Sequence, residues 1–337
     1  MLRHEDQQIE FYDALLEKLV TSDHSYRKLK KLIDFPKLLI SLQELYSKQG
    51  APSEPIEQGF KALLIQYWED LSDREAERYV RENLAARWFC GYGLEEESPD
   101  HSYFGKLRKR IGVEKLSALF QKVNEAITKA GYVGNVFHFV DASALRSRVD
   151  VWAARDKAIT DKEKDERDDD DKPKLNNQNL KKYSSDPEAR FGCKGKNKFW
   201  LGYKRHQRVD MKQGIVTHVA ITSAEVPDSK AFLSEGLCPT QGMVFLDKGY
   251  DYRFIDEELE KNQCANAVIR KKNHKEKNRD LDRWRSGIRM PYEGVFSKMD
   301  RRARYLGKKK VLFQATLEAM IHNFKRLIQI AAPPLPI

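Results

Sequence analysis

The stretch "NVFHFVDAS", Asn135–Ser143, marks where the chain changes character. Before it, apolar residues recur at three- and four-residue spacing, the period of helices packed on one face. Here they crowd into a short run rich in β-forming residues, the pattern of a buried strand, and the run ends on an aspartate, Asp141. A second short run, "GMVFLD" (Gly242–Asp247), ends the same way on Asp247. In open α/β sheets, sites form at the carboxyl ends of strands, where a side chain leaves the core and meets solvent. Two aspartates so placed on neighbouring strands repel each other unless a cation lies between them, and hard oxygen donors suit Mg²⁺ or Mn²⁺. The competing reading is that each aspartate only caps the turn after it, "AS" or "KGYD".

Working outward, the residues before Gly131 read as helices throughout. "IEFYDALLEKLV", "FPKLLISLQELYSK" and Ile56–Asp70 carry helical apolar spacing, and Ser72 with Glu75 forms a capping box for the next segment. Asp100 is placed to cap a further helix, which ends at a glycine, and "VEKLSALFQKVNEAITKAG" closes the region. After residue 135 strands and helices mix. "KFWLGYKRHQRVD" and "IVTHVAITS" read as a hairpin, "ANAVIR" as a strand, and "LFQATLEAMIHNFKRLIQI" as a closing helix. Between them, at about 160–180, "TDKEKDERDDDDKPKLNNQN" has almost no apolar residues and reads as a flexible acidic insertion. The fold class expected is therefore α/β (α+β), with a helical domain at 1–131 and a mixed-sheet domain at 135–332.

Composition narrows the function classes. The 337 residues include no apolar run long enough for a membrane span, and the polar, acidic opening "MLRHEDQQIEFYDAL" is unlike a signal peptide, so a cytoplasmic protein is the expectation. Four scattered cysteines have neither zinc-site nor disulfide spacing. The net charge is +10, and Arg270–Lys310 alone holds 16 Lys and Arg against 5 Asp and Glu, more than the whole surplus. A basic stripe interrupted by Trp284, Ile288, Tyr292 and Phe296 is the footprint of a polyanion-binding face. Within it stands one further candidate ligand, Glu293. Pro291 favours a first helical turn, which predicts a helix starting near Met290 with Glu293 close to its N-terminus, where a carboxylate also complements the helix dipole.

At these residues the chain resembles bacterial insertion-sequence transposases that use DDE chemistry. "FVDAS", "FLDKGYD" and "IRMPYEGVF" match the surroundings of that family's three carboxylates. "LSDREAERYVRENLAARWFCGYGLEEESPDHSYFGKLRKRI" is similar to its helical N-terminal domain. "DPEARFGCKGKNKFWLGYKRHQRVD", "PDSKAFL" and "HNFKRL" match further segments in the family's order, so the resemblance covers about residues 55–330 apart from the acidic insertion. It implies a ribonuclease H-like catalytic domain, two aspartates on adjacent strands and the glutamate on a helix beside them. The 46 residues from Asp247 to Glu293 leave no room for the large β-domain that some relatives insert there. The family often sets a tyrosine and an arginine before its glutamate and a lysine seven residues after. Arg289 holds the arginine position, whereas Ser286 and Asp300 replace the tyrosine and the lysine.

The resemblance implies that Asp141, Asp247 and Glu293 are catalytic metal ligands for two Mg²⁺ ions, with Mn²⁺ as a substitute. Arg289, Lys298, Arg301 and Arg302 are expected to hold phosphates, with Lys248 and Tyr250 close enough to touch one. End recognition is expected from the helix bearing Arg108 and Arg110, and from Arg74, Arg78, Arg81 and Arg87; the alternative for these arginines is intrahelical pairing with Glu75, Glu77 and Glu82. Trp284 is read as packing or as a base-stacking residue, and His206 and His218 as strand histidines without a role. The expected partners are double-stranded DNA (terminal inverted repeats and target) and a second copy of the chain, in a nucleoid-associated bacterial enzyme. Two alternatives share this sequence: a ribonuclease H-like nuclease that cuts without joining, and an inactive transposase-derived DNA-binding regulator.

Overall fold

The structure, a computed structural model, describes residues 11–46, 53–162, 175–195, 198–275, 277–297, 299 and 301–337. Most of the acidic insertion and two positions discussed above, Lys298 and Asp300, lie outside the described residues. Among the described residues, no helix is long and apolar enough to cross a membrane.

The chain forms two compact units, 1–133 with 316–337, and 134–315. The first is helical. It contains α1 (Phe11–Leu19), α2 (Ser25–Leu32), α3 (Phe35–Leu39), α4 (Ile56–Trp68), α5 (Asp73–Glu82), α6 (Leu84–Cys90) and α7 (His101–Lys129). The capping box at α5 is formed, with Ser72 Oγ accepting from Glu75 N and Glu75 accepting from Ser72 N. Asp100 caps α7 through Ser102 N and Tyr103 N. Gly112, at φ 67°, breaks α7 where the sequence places the end of one helix and the start of another. Phe89 organises this core, stacking on Tyr26 and receiving the ring edge of Phe35.

The second unit is built on one mixed sheet. Its strands are β1 (Phe137–Arg146), β2 (Arg190–Lys194), β3 (Lys198–Asp210), β4 (Ile215–Ser223), β5 (Met243–Leu246) and β6 (Ala265–Val268). Long β3 pairs antiparallel with β1 along one edge, and along its other edge with β2 and then β4. β1, β5 and β6 continue in parallel, giving the order β2-β3-β1-β5-β6 with β4 beside β3. The helices are α8 (Val151–Lys162), α9 (Asp228–Ser234), α10 (Arg253–Lys261), α11 (Arg279–Ser297) and α12 (Lys308–Gln329), the last divided between the units at Thr316. The 46 residues between Asp247 and Glu293 do hold a helix, a strand and a basic connector. Strands β1, β2 and β4 antiparallel to β3, with β5 and β6 extending β1 in parallel, make this the ribonuclease H-like α/β arrangement expected from the sequence.

The start of β1 is held by a single carboxylate. Buried Asp210, at the end of β3, accepts hydrogen bonds from Gly134 N, Asn135 N and Lys212 N at 2.8–3.2 Å. Three backbone donors lose their partner together if it is removed. Asp210→Ala is therefore expected to lower the unfolding free energy by about 2–4 kcal/mol, and Asp210→Asn, which keeps an acceptor oxygen, by less, as read from denaturant titrations.

Candidate active site

Strand register builds the site. In the parallel pair, Phe137 faces Met243, His138 faces Val244, and Phe139 faces Phe245. Asp141 and Asp247 each come two residues after the last of these partners, so alternation puts both on the face that carries Phe139 and Phe245. Helix α11 covers that face: the ring of Phe296 meets Phe139 at 5.1 Å, and Trp284 meets Phe245 at 5.9 Å. The opposite face is aliphatic, with Val140, Val244 and Leu246 packed against Phe232, Tyr250 and Ile255.

Glu293 lies on α11 one turn after Arg289, whose guanidinium reaches into the acids. Arg289 Nη2 is 3.3 Å from Glu293 Oε1, and Nη1 is 3.7 Å from Asp247 Oδ1. The same guanidinium sits 5.2 Å above the ring of Phe139. Each aspartate also caps the turn after it: Asp141 Oδ1 accepts from Ala142 N at 2.8 Å, and Asp247 Oδ1 from Lys248 N at 2.6 Å. Capping and convergence on one cation thus coexist. Burial pushes the Asp141 carboxyl up to about 6; the Ala142 N–H and the charge of Arg289 pull against it, while Asp247 and Asp228 add to it.

The donor chemistry suits a hard divalent ion, since two carboxylates flank one cation whose charge also acts on a third, and among the described residues no thiolate or imidazole is grouped with them. As they stand, no three acidic, His or Cys side chains among the described residues are grouped closely enough to hold a metal.

Several sequence expectations change here. The helix does not start near Met290. It starts at Arg279, where Asn278 Oδ1 accepts from Asp280 N and Leu281 N, and Pro291 lies inside it. Glu293 is therefore in the second half of a 19-residue helix, and dipole complementarity at an N-terminus does not explain it. Tyr250 does not meet a phosphate, because the turn Lys248–Tyr250 directs its ring into the core, edge-on to Phe232, and leaves it 1% exposed. Lys248, two residues earlier, is exposed.

Arg301 and Arg302 are exposed, and their backbone joins the far end of β1, with Arg146 N donating to Arg301 O at 2.8 Å. In the helical unit, Arg108 forms a two-pronged pair with Asp73 and also reaches Gln66; Arg110 lies over the Tyr46 ring. Arg81 pairs with Glu77 and Glu82, and Arg87 is buried, donating to backbone carbonyls of Gly93 and Glu96. The pairing alternative thus holds for Arg81, and Arg87 acts as a structural clamp. Trp284 is packed on Phe245 yet half-exposed. His206 is buried against Thr222 and pushed down to about 4 by burial, and His218 bonds Glu235 O.

Two neighbours of the site escaped the sequence reading. Gln207 lies opposite Asp141 on β3, fully buried, with Nε2 on Met299 Sδ at 3.0 Å. Asp228 opens α9, is paired with Lys204 Nζ at 2.9 Å, and is felt electrostatically by Asp141. The motif "PDSKAFL" was the available signal for Asp228.

An acidic cluster on a ribonuclease H-like sheet is the arrangement expected of a DDE-type enzyme. Comparison with known proteins agrees. A family model described as "Transposase domain (DUF772)" matches residues 14–110, and one described as "Transposase DDE domain" matches 171–323. The chain belongs to the DDE transposases of the insertion-sequence type. Among solved structures it is similar to a piggyBac transposase, seen by cryo-EM in a synaptic complex with hairpin DNA; the identity is 9%, the TM-score 0.41, and the match covers 96% of this chain and 77% of that one. No curated protein matches.

Raising a carboxyl by burial has a stability consequence. The folded state holds the Asp141 proton up to about pH 6, whereas the unfolded chain releases it near pH 4. Stability therefore falls as pH rises through that window and stays lower above it. Without divalent ions, Asp141→Asn is expected to stabilise the protein by about 1–3 kcal/mol at pH 8 and to give no gain below pH 4. Thermal melts at both pH values check this.

Proposed function

We propose that the protein binds the ends of its insertion sequence, hydrolyses phosphodiesters there, and joins the freed 3′-OH ends to target DNA. The observation that carries this reading is the equal offset of Asp141 and Asp247 beyond the paired phenylalanines of β1 and β5, on the face where α11 brings Glu293. When bound, a pair of Mg²⁺ ions, or Mn²⁺ in their place, supplies activation of water or of the 3′-hydroxyl and stabilisation of the leaving oxygen. Asp141, Asp247 and Glu293 would hold those ions. Asp141 must be ionised for that role, and a bound cation itself favours the ionised form over the protonated one that burial favours.

The remaining residues position DNA. Arg289 has Nε and Nη1 buried without a hydrogen-bond partner, and a phosphate oxygen supplies the acceptor they lack. Arg301, Arg302 and Lys248 are exposed cations suited to the flanking phosphates, and Lys298 belongs to the same basic stretch of sequence. Of the helical-unit pair named for end recognition, Arg108 is committed to Asp73, so Arg110 with exposed Lys106 and Lys109 takes that part. Synapsis of two ends calls for two copies of the chain, hence a homodimer in the working complex.

Asp141→Ala, Asp247→Ala and Glu293→Ala are each expected to lower Mg²⁺-dependent cleavage of end-containing DNA by at least about 10³-fold while retaining DNA binding in gel shifts. Products joined to a target plasmid by the unaltered protein mark a transposase. Cleavage without joined products marks a nuclease, and cleavage unchanged in all three variants removes the assignment of these carboxylates.

A further inference from the structure

The acids of the site already share a cation, and it is part of the chain. Arg289 spans Asp247 Oδ1 at 3.7 Å and Glu293 Oε1 at 3.3 Å, and its charge also acts on Asp141. Its position is fixed from two sides. One helical turn sets it beside Glu293, and the ring of Phe139 lies under the guanidinium. The Arg289 side chain is 13% exposed, whereas its partners Asp247 and Glu293 are 44% and 55% exposed, so water reaches the acids but little of the guanidinium. Yet Nε and Nη1 have no hydrogen-bond partner, and leaving such donors buried and unpaired carries a cost. Arg289 is thus held among the acids by charge, without full satisfaction of its donors.

A divalent ion bound by Asp247 and Glu293 needs the same carboxylate oxygens. Two cations a few ångströms apart repel, and both draw on the same oxygens, so the guanidinium and the ion compete for these partners. We propose that Arg289 is a positioning residue that occupies the place of the cation in the metal-free site, gathering Asp247 and Glu293, and that metal binding displaces it toward the scissile phosphate. This rests on reading the three carboxylates as metal ligands. It adds a competition: the arginine that assembles the site weakens metal binding until DNA phosphate offers its unpartnered donors an alternative. Metal and DNA then bind cooperatively, because each removes an obstacle to the other.

The test uses the full-length protein without DNA, titrated with Mn²⁺ and followed by calorimetry and by the electron paramagnetic resonance signal of free Mn²⁺. Arg289→Met keeps apolar contact with Phe139 and removes the charge, and Arg289→Lys keeps a charge that cannot span both acids. Arg289→Met is expected to bind Mn²⁺ at least tenfold more tightly than the unaltered protein, and Arg289→Lys at least threefold more tightly, although both cleave DNA more slowly. A merely structural arginine predicts no tightening. Equal or weaker Mn²⁺ binding in the variants overturns the proposal, and Arg289→Lys decides it if melting shows Arg289→Met to be unfolded. Asp247→Asn is the control: if it binds Mn²⁺ as the unaltered protein does, the carboxylate assignment itself has failed, a result distinct from failure of the competition.

Discussion

The parallel register of β1 and β5 is the constraint on which the site depends. Side chains alternate along a strand, so a slip of one residue in either strand would turn one aspartate to the opposite face. That face is filled by Val140, Val244 and Leu246 against Phe232 and Ile255, where an unpaired carboxylate has no partner and no water. The two faces also differ in kind. One takes the aromatic rings of Phe139 and Phe245 beneath α11, and the other takes branched aliphatic side chains. Exchanging the two sets costs packing on both sides at once, which specifies the register far more tightly than backbone hydrogen bonds alone. The apolar residues of two short strands thus fix where two acidic ones point.

The third acid reaches the site through α11, and the helix is anchored at places remote from Glu293. Trp284 packs on Phe245 near its start, Phe296 on Phe139 near its end, and the Tyr292 hydroxyl donates to the Met211 carbonyl between them. These contacts explain how the helix continues through Pro291, a residue that removes one backbone hydrogen bond and costs a free helix about 3 kcal/mol. The residue four before it is Gly287, whose carbonyl is the one the proline ring crowds. Tertiary contacts here override local preference. The result places Arg289 and Glu293 on one turn facing the sheet, which a helix beginning at Met290 would not have achieved.

The same competition decides what could be read from the sequence. Apolar period and length carry most helices of the first unit, the break at Gly112, every strand of the mixed sheet except β2, and the two strand-end aspartates, because these are local signals of packing. Helix α2, strand β2 and the grouping of 316–337 with the helical unit have no such signal. The start of α11 was misplaced because Pro291 is a strong local signal, whereas the anchoring of Trp284 on Phe245 joins residues far apart in the chain. Tyr250 was misassigned for a related reason. It stands three residues after Asp247, but a tight turn puts it under the sheet, and proximity in sequence carries no direction. Gln207 is invisible in the sequence as a site neighbour, since only the pairing of β3 with β1 brings it close, and Asp228 has no signal beyond the motif "PDSKAFL". Arg289 was legible as a cation at the site, but not as the partner of two of its acids.

The basic stripe divides between two uses, and this bears on how the protein meets DNA. Arg270 is committed to Asp251 and Asp256, Lys277 to Asp282, and Arg285 to Asp282 and the Val268 carbonyl. These pairs tie the connector between β6 and α11 to α10, to the turn before it and to the start of α11, and Arg285 ties α11 to the end of β6. Exposed Lys272, Lys275, Arg279, Arg301, Arg302, Lys309 and Lys310 are of a different kind, because bulk charge of this sort can release counterions from a phosphate backbone. The count of positive residues therefore overstates the electrostatic footprint: a paired, partly buried arginine has already spent its attraction on a neighbouring carboxylate. What the internal pairs contribute instead is attachment: they join α11 and the connector before it to the end of β6 and to neighbouring carboxylates.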